Sequence, residues 1–263
     1  MKFAIVPRIS ALTLAATLAL ALTGCGFFGN SDKKNSDLTK GNWSIAATST
    51  NSANSFLIGG NLTQSGTSVS GKMYITGADP GCNIDPAQAV TITGTVSGSS
   101  VALTTGAVAG QIITIAATGS GSNFHGTYAI AGGNCDGDQG NVTANAVASI
   151  TGTWSGTVEV SSAPVTISMA LTQAQTVSAD GTFSLSGTVT YSGAIVCSTT
   201  ATVLATSRVA GANVTVDASV GDGAFNYVGP LDSVTAPKNI VGTYSTSDSC
   251  AGDADQTVTL TKQ

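Results

Sequence analysis

The stretch "VTISMALTQ" puts Val165, Ile167, Met169 and Leu171 on one face of an extended chain and Thr166, Ser168, Ala170 and Thr172 on the other. "TFSLSGTVTY" repeats the alternation, with Phe183, Leu185, Val189 and Tyr191 opposite Ser184, Ser186, Thr188 and Thr190. A period of two marks a half-buried antiparallel strand, here with a wet face of hydroxyls rather than charges. The same alternation, cut by Gly and Asn turns, predicts eight short strands in the first half, near 43–48, 56–64, 69–76, 89–96, 100–105, 111–118, 124–131 and 141–148. Turns such as "VSGSSV" (Val96 to Val101) are tight enough for hairpins, so neighbours in sequence are expected to be neighbours in the sheet.

The pattern occurs twice. "GNWS" (Gly41 to Ser44) returns as "GTWS" (Gly152 to Ser155), "LTQ" at Leu62 returns at Leu171, and "GTY" at Gly126 returns at Gly242. Cys82 and Cys135 are separated by the same fifty-three residues as Cys197 and Cys250, and each copy's second cysteine is followed by a Gly-Asp turn. An internal duplication follows, with β domains at 41–149 and 150–263. The junction "AVASITGTW" has no Pro or Gly-Ser linker, so the two are expected to abut. Equal spacing favours local disulfides, Cys82 with Cys135 and Cys197 with Cys250, over crossed pairings, the alternative being four buried free thiols. Each such bridge would stabilise its domain by about 4 kcal/mol on the chain-entropy account.

The fold class is all-β: two tandem homologous antiparallel domains of about eight strands each. Eight meandering strands either close as an up-and-down barrel or pack as a sandwich. An immunoglobulin-type sandwich places its Trp between the paired cysteines, whereas Trp43 and Trp154 precede both cysteines and open their domains, which favours the barrel. Gly41 with Trp43, and Gly152 with Trp154, resemble the start of the calycin barrels, lipocalins and avidins. That resemblance implies a first-strand Trp plugging one barrel end and a small apolar ligand inside. The chain departs from it in having no Arg on the last strand and no further tryptophans for a biotin site. A lipid-spanning barrel is disfavoured by short strands and 5% aromatic residues.

Ahead of the repeats, Met1 to Arg8 carries two positive charges, Ile9 to Leu22 is apolar, and "LTGC" (Leu22 to Cys25) ends the run. This run of fourteen residues, diluted by Thr13 and Thr17, falls short of the roughly 20 of a spanning helix. The segment resembles the lipobox of bacterial lipoproteins. The resemblance implies a signal peptide at 1–24, acylation of Cys25, and membrane attachment in the cell envelope. Gly26, not being Asp, points to the outer membrane by the same analogy. "NSDKKNSDLTK" within 25–40 is a polar tether that cannot bury a core of its own. Export to an oxidising compartment permits the disulfides.

Composition narrows function. Charged residues make up 9% of the chain and the net charge is −5; loss of Lys2 and Arg8 leaves seven basic against fourteen acidic residues. Lys33, Lys34 and Lys40 form the lone basic cluster and sit in the tether, so nucleic acid is not an expected partner. His125 is the single histidine, with Val241 at its place in the second copy, and Glu159 is the single glutamate, which leaves no material for a triad or a zinc site. "GCGFFG" spells a dinucleotide fingerprint and Ser31 with Lys34 spells S-x-x-K, but both fall around the lipobox and tether. Asp136 and Asp138, and Asp253 and Asp255, offer oxygens to calcium or cap the turns at Gly137 and Gly252. An enzyme would need a group supplied by a partner or a carboxylate pair such as Asp79 with Asp85. The expectation is a non-enzymatic envelope module with no cofactor and no metal, acting in scaffolding or adhesion through protein or polysaccharide contacts. The alternative is a carrier of small apolar ligands, in which Phe56, Phe124, Phe183 and Phe225 decide whether the barrels are hollow.

Overall fold

The computed structural model describes residues 41–77, 89–160, 162–193, 199–220, 223–246 and 256–263, all within one compact unit, Lys33–Gln263. Strands β1 (Asn42–Ser49), β2 (Ser55–Ser65), β3 (Ser68–Thr76), β4 (Ala89–Ser97), β5 (Ser100–Thr105), β6 (Ile112–Ser120), β7 (Asn123–Ala131) and β8 (Gln139–Ala146) form a meander. It closes on itself because β1 pairs with β8 as well as β2, for example Ala47 with Val142 and with Phe56. Several turns are two residues long. Between β4 and β5, Ser97 pairs with Ser100, and Gly98 takes φ +60, the left-handed position a hairpin of this type requires.

The second copy contributes β9 (Gly152–Val160), β10 (Ala163–Val177), β11 (Phe183–Gly193), β12 (Thr200–Val203), β13 (Arg208–Ala210), β14 (Asn213–Val220), β15 (Gly223–Pro230), β16 (Asn239–Thr246) and β17 (Gln256–Lys262). Its sheet runs β10-β9-β17-β16-β15-β14-β12-β11, and the β10–β11 pairing closes it as a second eight-stranded barrel. The short β13 bridges β11 and β14 as a ninth strand. Both domains are therefore up-and-down barrels, the alternative that the position of Trp43 and Trp154 favours over a sandwich. Strand ends differ from the sequence reading by a residue or two, and β13 is an addition to it.

Alternation sorts the side chains. In β6, Ile113, Ile115 and Ala117 point inward while Thr114, Ala116 and Thr118 face solvent. Each barrel encloses its own apolar cluster. In the first, Trp43 stacks on Phe124 at 5.5 Å and Phe56 meets Tyr128 edge-on at 5.0 Å. In the second, Phe225 lies 6.0 Å from Tyr191 and 5.5 Å from Tyr244. Such ring pairs add about 0.5–1.5 kcal/mol each beyond their buried area. All four phenylalanines named as space-fillers, Phe56, Phe124, Phe183 and Phe225, are buried.

Candidate functional site

Three places on the body are built for contact or constraint. The first is the outer wall of the first barrel. Strands β4 to β8 contain no Asp, Glu, Lys or Arg. Their register lays outward residues in rows: Thr93 beside Thr104 beside Thr114, and Thr95, Ala102, Ala116, Thr127 and Asn141 in succession. The small Ala102 and Ala116 between threonines sink a groove of about 500 Å³, with His125 among its lining residues. A neighbouring groove of about 420 Å³ runs over Thr114, Thr127, Gln139 and Asn141 and shares Ala116 and Thr127 with it. Hydroxyls outside and apolar groups inside reverse the order of a lipid-spanning barrel. Among the described residues no helix is long and apolar enough to cross a membrane.

The second place is a knot at one end of the first barrel. After β7, a single 3-10 turn (Gly133–Cys135) leads into the Asp136–Asp138 segment, and Gly137 takes φ +82. Asp136 Oδ1 accepts the Gly132 amide at 2.8 Å, across the turn. Asp138 is buried, 7% exposed. Its Oδ1 accepts the Ser49 and Ser52 hydroxyls at 2.6 and 3.1 Å, and its Oδ2 accepts the Tyr128 hydroxyl at 2.9 Å. Burial alone would raise its pKa; donors from Ser49, Tyr128, Ser52 and Asn54 outweigh that and hold it below the usual aspartate value. Burial, with the bond to Asp138, pushes the Tyr128 hydroxyl up to about 12. Asp138 thus serves as an acceptor that ties β1, β7 and β8 together. Among the described residues no three His, Cys, Asp or Glu side chains gather as metal ligands.

The seam between the barrels is the third place. Asn42, 3% exposed, donates from Nδ2 to the Gly211 carbonyl at 2.8 Å and accepts the Gly211 amide on Oδ1 at 2.6 Å. The β13–β14 turn carrying Gly211 (φ +58) lies against Gly59 so closely that a Cβ on Gly59 would sit 2.6 Å from the Ala210 carbonyl oxygen. Beside it, Lys72 Nζ donates to the Ala179 carbonyl at 2.8 Å and the Tyr74 hydroxyl to Asp180 at 2.9 Å. The Arg208 guanidinium lies 5.6 Å from the centre of the Tyr74 ring, and Asn213 bonds Thr76. A cleft of about 520 Å³ runs along the seam past Gly41, Asn61, Gln173, Val177 and Phe183. In β2, "IGGN" carried a signal for this docking, since glycine inside a strand marks close approach of another backbone. Asn42, Tyr74, Asp180 and Arg208 carried none, because their partners lie more than a hundred residues away.

Of the residues singled out from the sequence, His125 and Glu159 are exposed on outer strand faces and remain apart. Cys135 accepts a contact from Asn54 Nδ2 at 3.7 Å. Cys25, Cys82, Cys197, Cys250, Asp79, Asp85, Asp253 and Asp255 lie outside the described residues. No protein-family model, curated protein or solved structure matches the chain.

Proposed function

We propose that the chain is a non-enzymatic, lipid-anchored module of the bacterial cell envelope, held at a membrane by acylated Cys25 and acting through its outer surface in scaffolding or adhesion. The observation that carries this reading is the contrast between interiors packed with aromatic rings and an outer wall on β4 to β8 that bears two adjoining grooves and no carboxylate or strong base. Desolvating hydroxyls and methyls costs far less than desolvating charges, so such a wall suits an uncharged surface, whether of an envelope protein or a neutral polysaccharide. The "LTGC" motif and the polar run after it support attachment, and the outer membrane is the proposed site. Disulfides Cys82–Cys135 and Cys197–Cys250 complete the picture of an exported, stapled protein.

Two measurements test it. Labelling cells with radioactive palmitate should mark the protein and fail to mark Cys25→Ser; equal labelling overturns the anchor. Native mass spectrometry of the body from residue 41 onward should give the bare chain mass less two hydrogens for each disulfide. Surplus mass released on denaturation would replace this reading with that of an apolar-ligand carrier.

A further inference from the structure

The two grooves on the first barrel meet at Ala116 and Thr127 and make one trough. It starts at Ser97 on β4 and Ser100 on β5, crosses β6 and β7, and ends at Gln139 and Asn141 on β8. Its course is across the strands, not along them. With neighbouring strands about 4.8 Å apart, the four steps from β4 to β8 give it a length of about 20 Å. Its centre line is the row Thr95, Ala102, Ala116, Thr127 and Asn141, all exposed. Methyl groups lie in the middle, and hydroxyls and an amide lie at the ends. Among the described residues none bonds the side chains of Thr95, Thr127, Gln139 or Asn141, so their donors and acceptors are turned to solvent.

These features sort the occupants. A charged polymer finds no counter-charge on β4 to β8, and the water stripped from its own charges would go unrepaid. An extended peptide joins a sheet through a free edge. There is none here, because each of β4 to β8 is paired on both sides. A docked helix or a protein loop is held by large apolar, aromatic or Arg anchors in deep pockets, whereas the centre of this trough is lined by alanine and threonine methyls. A chain of neutral sugars suits it better. Each unit presents C–H groups beside hydroxyls, the same fine mixture that a row of Thr and Ala presents. Among the lining residues His125 is the outward ring, so hydrogen bonds and methyl contacts carry each sugar, weakly. A strand is then held by the sum over the length of the trough.

We infer that the trough across β4 to β8 binds one strand of an uncharged, hydroxyl-rich polysaccharide. This rests on the reading that the protein works through its outer surface, and it names the partner of that surface.

The test is depletion of the full chain, held in a sugar-free detergent, by beads of unsubstituted dextran, mannan or galactan, with carboxymethyl dextran as the charged counterpart. Retention is expected on a neutral polymer, and at least about tenfold weaker retention on the carboxymethyl beads. Ala116→Leu and Ala102→Leu each put a branched side chain on the centre line, and each should weaken retention at least about tenfold at an unchanged melting temperature. Ala170→Leu is the matched control, an exposed alanine between Thr153 and Thr188 on the second barrel, and should leave retention as it was. No retention on any neutral polymer overturns the inference, as does equal retention on carboxymethyl dextran. Retention that survives both Ala116→Leu and Ala102→Leu puts the glycan elsewhere and overturns it too. A photo-crosslinking residue at Thr127 that captures an envelope protein in cells would overturn the glycan assignment and keep the outer-surface reading. That reading itself falls only with the surplus mass of a ligand inside the barrels.

Discussion

The two barrels share a strand plan and a first-strand tryptophan, but they play opposite parts at the seam. The first barrel offers a receiving surface: Gly59 and Gly60 stand in β2 where the second copy has Ser168 and Met169 in β10. The second barrel supplies the projections. Its β10–β11 hairpin reaches Lys72 and Tyr74 through Ala179 and Asp180, and its β13–β14 turn reaches Gly59 and Asn42 through Ala210 and Gly211. A ninth strand, β13, and a register shift in β10 between Gln173 and Val177 accompany these projections. The two barrels share a plan, and the glycines of one with the projecting turns of the other make the first the socket for the second.

The sharpest way to break that relation is to fill the socket. Gly59→Val places a side chain where the Ala210 carbonyl and Gly211 Cα already stand, at 2.6 and 2.8 Å from the first added carbon. Overpacking against backbone, which cannot rotate away, is expected to cost about 3 kcal/mol. For a chain of this size that is a fall in melting temperature of about 6–12 °C. Calorimetry should also show the two barrels unfolding in separate transitions in the variant and together in the unaltered chain. Gly106→Ala is the control, since its new methyl would meet nothing closer than 3.7 Å. An unchanged melting profile for Gly59→Val would mean that the seam is not a fixed contact.

A second comparison lies inside the barrels. Tyr128 in the first gives its hydroxyl to a carboxylate, Asp138, whereas Tyr227 in the second gives its hydroxyl to the Ile240 and Val258 carbonyls at 2.8 and 3.0 Å. Asp138 has a lowered folded pKa, so its contribution is present above the unfolded value near 4 and is lost as pH falls through the folded value. Removal of its hydroxyl donors therefore matters less in acid. Tyr128→Phe is expected to cost about 2 kcal/mol at pH 7 and progressively less below pH 4, measured by urea unfolding. Tyr227→Phe should cost a similar amount without that acid dependence, since its acceptors do not titrate. At the alkaline end the sign reverses. The Tyr128 hydroxyl is held neutral to about pH 12, so its stabilisation is complete below pH 10 and fades as pH rises through 12. Parallel acid profiles for the two variants would refute the role given to Asp138.

Strand positions were legible in the sequence because alternation and two-residue turns are local properties. Closure was not in that pattern, which suits a sandwich as well, and was favoured only by the place of Trp43 and Trp154 ahead of the cysteines. Thr114, Ala116 and Thr118 announce their outward face from within β6 alone. The knot was half legible. Gly137 read as a left-handed turn residue and takes φ +82, and Asp136 accepts a backbone amide, that of Gly132, but Asp138 looked like a second cap or a calcium ligand. Its donors Ser49 and Ser52 lie far away in sequence and arrive only when β1 closes against β8. The seam was nearly illegible, because Asn42 and Tyr74 sit in strands whose pattern predicts them equally well with or without a docked neighbour. The LTGC motif ending at Cys25 is the reverse case, a strong signal in sequence that lies outside the described residues.

The smallest expected effect sharpens the comparison most, because it asks whether two residues sense each other across the seam. Tyr74 Oη and Asp180 Oδ2 are 2.9 Å apart. Burial and the Asp180 bond raise the tyrosine pKa. Burial would raise the aspartate too, but donors from Thr182 and Tyr74 overcome it and hold it low. Tyr74→Phe keeps the ring under Arg208 and removes only the hydroxyl, so with Asp180→Asn it forms a clean double-mutant cycle. A partly exposed bond of this kind is expected to show a coupling of about 0.5–1 kcal/mol at pH 7. The coupling should vanish below the folded pKa of Asp180, where the carboxylate is protonated. Repeating the cycle in the Gly59→Val background then separates two explanations. If the socket holds the projections in place, filling it abolishes the coupling even though neither partner is altered. If the coupling survives, the β10–β11 hairpin is held by its own bonds to Lys72 and Tyr74, and the glycine socket is a consequence of docking rather than its cause.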